Sequence, residues 1–284
     1  MKKINVDLNS LGISIVIFSL CAFVMTHAFG LLTSEESQIL KYQNIVSKEP
    51  IDYMSKNILL AFRLVGLLLL SSGLIFFCSF VKMEFKNFHN PVILKWGILI
   101  AIISGMLYGA LMRIVGNQQG AALLFFFDML LYLLLFFIER YNPKTNTFFR
   151  SFMLLPLYLI LFYTMGLPGW AKLFGGPMVI ERYVKMFKNS FVADLPGGTP
   201  LMIYGLGLLE MLVPLFLIIS LLKLEFKVSS KKNWLNYAML TSIFTFGMLC
   251  FGLAILYNFA GSVNLVFYPI FTLLVLICIN KLTV

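Results

Sequence analysis

Charge is what this sequence has least of. Only 12% of its 284 residues are charged, about half the roughly 25% usual in soluble domains, so an ordinary aqueous surface cannot be built from it. Histidine occurs twice, as His27 and His89, which excludes a clustered histidine metal site. The four cysteines, Cys21, Cys78, Cys250 and Cys278, fall inside apolar runs without a Cys-x-x-Cys pair; they read as small apolar residues, not a thiol relay. Gly175-Gly176-Pro177 lacks the spacing and the lysine of a phosphate loop. Haem ligand pairs and flavin motifs are absent too, so no cofactor is evident from the residues.

What is present is apolar length, with 60% of the chain hydrophobic. Runs of about 20 residues, each long enough for a hydrocarbon core of ~30 Å, recur throughout. They predict eight helices at about 11–32, 57–81, 92–114, 120–138, 149–167, 200–222, 233–256 and 261–281. Helices are favoured over a barrel because the runs are continuously apolar instead of alternating, and a helix satisfies its own backbone in lipid. The expected fold is an all-α polytopic membrane protein.

The net charge of +10 raises the question of nucleic acid. The basic residues sit in short loops at helix ends and form no stripe, so the bilayer is the expected partner and nucleic acid is not. With a cytoplasmic N-terminus, thirteen lysines and arginines lie inside, from Lys2 to Lys281, against eight outside. That asymmetry follows the positive-inside rule and places both termini in the cytoplasm. Met1-Lys2-Lys3 and the apolar run ending at Ala28 resemble a secretory signal, but the internal repeat argues for a retained first helix.

The repeat is read from Lys223-Leu224-Glu225-Phe226-Lys227, which nearly restates Lys82-Met83-Glu84-Phe85-Lys86. The offset is 141 residues. Without a gap it also lays Gly207-Leu208-Leu209 on Gly66-Leu67-Leu68, Ser220 on Ser79, Asn258 on Asn117 and Gly261 on Gly120. The chain therefore reads as two parallel four-helix repeats, 1–140 and 149–284, joined by a linker.

Three ionisable residues lie clearly within the spans: Arg63, Asp128 and Glu210. At 1.5 Å per residue they sit ~9, ~12 and ~15 Å from the outer ends of their helices, and a charge at such depth is expensive unless it faces protein or water. None is repeated, since the offset opposes them with Tyr204, Pro269 and Leu69. One reading is an outward-opening polar pocket between the repeats, lined by Arg63, Asp128 and Glu210 with Asn117, Asn258 and Tyr204 near its mouth. The other is a buried pair that only locks the halves together. Pro214, four residues after Glu210, is expected to kink its helix, and Gly105 with Gly109 to let another helix approach.

Two outer loops are long. Residues 33–56 are of mixed charge, and 168–200 contain Val179, Ile180, Tyr183, Val184, Phe187 and Phe191 at helical spacing opposite Glu181, Arg182, Lys185 and Lys188. The second predicts an amphipathic helix on the membrane surface. These loops are where a partner protein would bind.

Gly169-Trp170-Ala171-Lys172-Leu173-Phe174-Gly175, the amphipathic segment and Gly205-Leu206-Gly207-Leu208-Leu209-Glu210 together resemble the DoxX family of four-helix membrane proteins, over about residues 150–281. Lys172 and Glu210 are the matching positions. The first half departs from the pattern, with Leu31 and Leu69 there. The resemblance implies a bacterial inner-membrane protein, a membrane subunit or anchor of a redox complex such as the small subunit of thiosulfate:quinone oxidoreductase. It implies a quinone as the ligand to consider, with Glu210 and Lys172 managing protons. A small-molecule transporter, whose two halves alternate access, and a membrane assembly or anchoring protein are the alternatives.

Overall fold

The computed structural model describes residues 8–33, 52–84, 91–115, 117–140, 147–227 and 230–282. The expected contact loop 33–56 and the linker between the repeats fall largely outside the described residues. Those described are helical, without strands, and provide eight helices long and apolar enough to cross a membrane. The protein is thus an all-α, multi-pass membrane protein. Contacts divide the chain into two compact units, Met1–Thr145 and Asn146–Val284, and each is described by itself.

In the first unit, α1 (Leu8–Thr33), α2 (Asp52–Val81), α3 (Val92–Ile114) and α4 (Gln118–Arg140) each pack on the next in sequence. The Phe23 and Phe127 rings, 5.2 Å apart, also bring α1 against α4. In the second unit the first span is broken into α5 (Thr147–Phe152), α6 (Leu155–Leu161), a π-helical turn (Phe162–Gly166) and α7 (Leu167–Phe174). The sequence predicts a single helix over about 149–167, and prolines explain the difference. Pro156 and Pro168 sit in the first turns of α6 and α7, where a missing N–H is tolerated. The wider π turn absorbs the register change before Pro168. Pro214 packs against the same turn, 3.4 Å from where a Cβ on Gly166 would lie. Then follow α8 (Pro177–Phe187), the expected amphipathic helix, and a 3₁₀ turn (Phe191–Asp194). The remaining spans, α9 (Gly198–Leu222), α10 (Asn233–Ile255) and α11 (Phe259–Leu282), again pack in order. Gly197, at φ +81°, caps the start of α9, a conformation glycine adopts without strain.

The repeated pentapeptide has a structural task. Ser79 donates to Glu84 Oε2 at 2.9 Å, and the Glu84 carboxylate accepts the backbone N–H groups of Ile93 and Leu94 at 3.1 and 2.8 Å. In the second unit Ser220 donates to Glu225 at 2.9 Å, and Glu225 accepts from Trp234 and Leu235 at 3.2 and 2.9 Å. Every partner differs by the offset of 141. Met83 and Leu224, the residues before each glutamate, share a left-handed backbone at φ 54° and 55°. The glutamate thus caps the next helix, satisfying amide groups that no helical carbonyl reaches.

A second set repeats in the same way. Asn117 Oδ1 accepts from Gly120 N–H at 2.8 Å, and Asn258 Oδ1 from Gly261 N–H at 3.0 Å, capping α4 and α11.

Candidate functional site

Lys172 and Glu210 meet inside the second unit. Lys172 lies in the last turn of α7 and Glu210 in the middle of α9. The ammonium donates to both carboxylate oxygens, at 2.5 and 2.6 Å. The two side chains are only 5% and 1% exposed. Glycines allow the approach. A Cβ on Gly207 would lie 3.0 Å from Lys172 Cβ and 3.1 Å from Leu173, and one on Gly169 would lie 2.8 Å from Glu210 Cβ.

The first unit supplies an internal control. Gly66, the counterpart of Gly207, sits equally close to α1, its Cβ position 3.1 Å from Leu31 Cβ and 3.2 Å from Leu32. Leu31 corresponds to Lys172, and buried Leu69 to Glu210. The same helix crossing therefore forms with apolar residues at both positions. The ion pair is not needed to make it, and exchanging a buried pair for apolar groups is often neutral or stabilising.

Beside Lys172 is a cavity of about 510 Å³, within the range of small-molecule sites. Lys172 and, from α8, Tyr183 and Phe187 line it, together with apolar residues of α9, α10 and α11. Its position is informative. In the first unit Phe62, Met112 and Val115 form a packed cluster with Leu31, Tyr108, Leu111 and Leu124. Their counterparts at the 141 offset are Ile203, Leu253, Leu256, Lys172, Leu249, Gly252 and Leu265, and these seven line the cavity, whereas Thr199, Pro200 and Ser262, the counterparts of the cluster's other members Ile58, Leu59 and Ala121, do not. Phenylalanine has become isoleucine, tyrosine leucine, and leucine glycine. The second unit is open where the first is filled.

Polar groups on the cavity wall are few. Lys172 brings its charge already neutralised by Glu210. Tyr183, on α8 and outside the spans, has its phenol pushed above the usual range, first by burial and then by the Glu210 carboxylate, while Arg182 opposes the shift. The wall suits a largely apolar molecule with a neutral hydrogen-bonding head. A carboxylate head would compete with Glu210 for the lysine.

The other expected site residues go elsewhere. Arg63 is exposed on α2 and does not meet Asp128. Asp128 is wholly buried on α4, and among the described residues neither carboxylate oxygen has a hydrogen-bond partner. Asn117 and Asn258 use their side chains as helix caps, which the shared offset in a turn explains. Tyr204 is 45% exposed on α9, beside cavity-lining Ile203 and Gly205 but not itself on the wall. Glu210 has its cation, Lys172, inside its own unit.

Sequence reasoning missed a second buried pair, Lys95 with Glu139 at 2.8 Å between α3 and α4. Both sit near helix ends and read as loop charges. Their counterparts are Asn236 and Asn280, so the signal was a position that stays polar in both copies. Among the described residues no group of histidine, cysteine, aspartate and glutamate is arranged to hold a metal. No family model matches the chain, and no curated protein or solved structure matches it.

Proposed function

We propose that this is a DoxX-like protein of the bacterial inner membrane whose second unit binds a membrane-soluble lipophile of the quinone class, as the membrane subunit or anchor of a redox complex. The observation that carries this reading is the cavity at Lys172, open where the duplicate unit is packed with larger side chains. A quinone ring and isoprenoid tail match its apolar lining, and a neutral carbonyl oxygen matches the donors Lys172 and Tyr183. The two DoxX-matching residues, Lys172 and Glu210, are also the two that pair at the wall.

In this reading the paired ammonium orients the ligand carbonyl, and Glu210 with Tyr183 holds protons close to it. A buried charge pair does this without leaving a net charge in the hydrocarbon. Positive-inside counting puts both termini in the cytoplasm and α8 on the outer side. There α8 exposes Met178 and Met186, a surface for a partner subunit.

The test refills the cavity with the residues of the first unit. Ile203→Phe and Gly252→Leu together should abolish binding of a ubiquinone or menaquinone analogue to the purified protein in lipid nanodiscs, with folding retained. Unchanged affinity in the folded double variant would end the proposal.

A further inference from the structure

We propose that Asp128 is the binding site for a small exchangeable cation, a proton or a sodium ion, inside the first unit. Asp128 lies in the interior of span Gly120–Glu139. It is 0% exposed, and both carboxylate oxygens lack a hydrogen-bond donor. A bare carboxylate in such a place is costly, so a cation must accompany it, and among the described residues the surrounding side chains do not provide one.

The charged groups of the packed helices and the tyrosines nearest the site are accounted for. Tyr132, one turn along α4, is buried with its ring against Phe136, and Tyr108, one turn along α3 from Gly105, has its ring against Phe62. On α3, Lys95 binds Glu139 and Arg113 lies two turns beyond Gly105. On α1, His27 is exposed, its ring against Phe23 and its Nδ1 3.1 Å from the Phe23 carbonyl oxygen. On α2, Arg63 is exposed. The hydroxyl of Ser104, next to the site in sequence, donates to the Ile100 carbonyl. None of these groups hydrogen-bonds Asp128.

Packing does not require the carboxyl either. Its counterpart in the second unit is Pro269, and the residue facing it, Gly105, corresponds to Phe246. The Phe246 ring there lies tilted against that of Tyr268, centroids 5.2 Å apart. Both corresponding positions in the second unit are therefore apolar. In the first unit, a side chain at Gly105 would collide with Asp128 Oδ1. A glycine notch on α3 thus accommodates a carboxyl that makes no bond to the protein.

An alkali ion gathers several oxygen ligands, as hard cations do, whereas a proton needs only the carboxyl oxygen. The proton is the cation the site favours. Loading and unloading it within the hydrocarbon would give the first unit a proton-coupling role separate from the lipophile site of the second.

Infrared spectroscopy of the whole protein in bilayers tests this. The carbonyl stretch of a protonated carboxyl should be present in wild type, shift in heavy water, and be missing from Asp128→Asn. Carboxyl-¹³C aspartate labelling, in case that variant does not fold, shows whether the band comes from an aspartate, and of Asp7, Asp52, Asp128 and Asp194 only Asp128 lies within one of the described membrane spans. Disappearance of the band as pH rises, unaffected by salt, identifies the proton. Loss on adding sodium at fixed pH, but not potassium, identifies sodium. A spectrum without an Asp128 band at any pH, or a band that neither pH nor sodium alters, overturns the proposal.

Discussion

Replacing Lys172 and Glu210 by leucines, singly and together, separates a site from a structural lock. The pair is 5% and 1% exposed with contacts of 2.5 and 2.6 Å, so neither partner has water to fall back on. Removing one leaves the other charge buried alone, at about 3–5 kcal/mol. Lys172→Leu and Glu210→Leu should each lower the unfolding midpoint sharply. The double variant reproduces Leu31 and Leu69 of the first unit, where Gly66 permits the same close approach. Since such exchanges range from neutral to about 1–4 kcal/mol stabilising, its stability should return to wild type or exceed it. Binding of the quinone analogue should be lost in all three. Thermal unfolding in detergent with binding measured alongside is the assay. A double variant as unstable as either single would refute the reasoning, because the pair would then be holding the fold.

Gly207→Ala places a methyl 3.0 Å from Lys172 Cβ and 3.1 Å from Leu173; overpacking of that kind costs about 1–3 kcal/mol, and the loss should appear in both stability and ligand affinity. Glu84→Ala and Glu225→Ala each remove a cap from two backbone N–H groups and should each cost about 1–2 kcal/mol by thermal unfolding, with similar values because the geometry is duplicated. Tyr183 titrates above its ordinary value of 10 in the folded chain. The folded state then keeps its proton at a pH where the unfolded state has lost it, so stability falls as pH rises from 10 through the folded value; Tyr183→Phe should flatten that alkaline decline in unfolding scans.

The spans were legible because an apolar run of about 20 residues has few other solutions, and even the amphipathic α8 followed from spacing. The breaks at Pro156 and Pro168 were not resolved, since proline marks a disturbance without saying that a π turn will absorb it. The offset of 141 told which residues correspond, and the hydrogen bonds follow it pair by pair. It did not say that Glu84 caps α3, because that bond closes a turn in space across nine and ten residues. Glu210 was recognised as a buried charge, whereas Lys172 was set beside it only through the DoxX resemblance, because its position by helix length fell in the outer loop 168–200. Only the extension of α7 to Phe174 brings it inward.

The cavity was the least legible feature. A leucine lining a cavity and a leucine facing lipid are the same letter, and single-chain composition cannot tell them apart. The comparison of Leu111 with Gly252 and Phe62 with Ile203 becomes meaningful once the first unit is seen to be packed there.

The most direct measurement is the location of a photoreactive quinone crosslinked to the protein in membranes and mapped by mass spectrometry. The account requires adducts on cavity residues of the second unit such as Met248 and Leu253, competed by unlabelled quinone and absent from the Ile203→Phe, Gly252→Leu protein. Adducts confined to the first unit, or labelling of Met248 and Leu253 that the refilled cavity leaves unchanged, would contradict it.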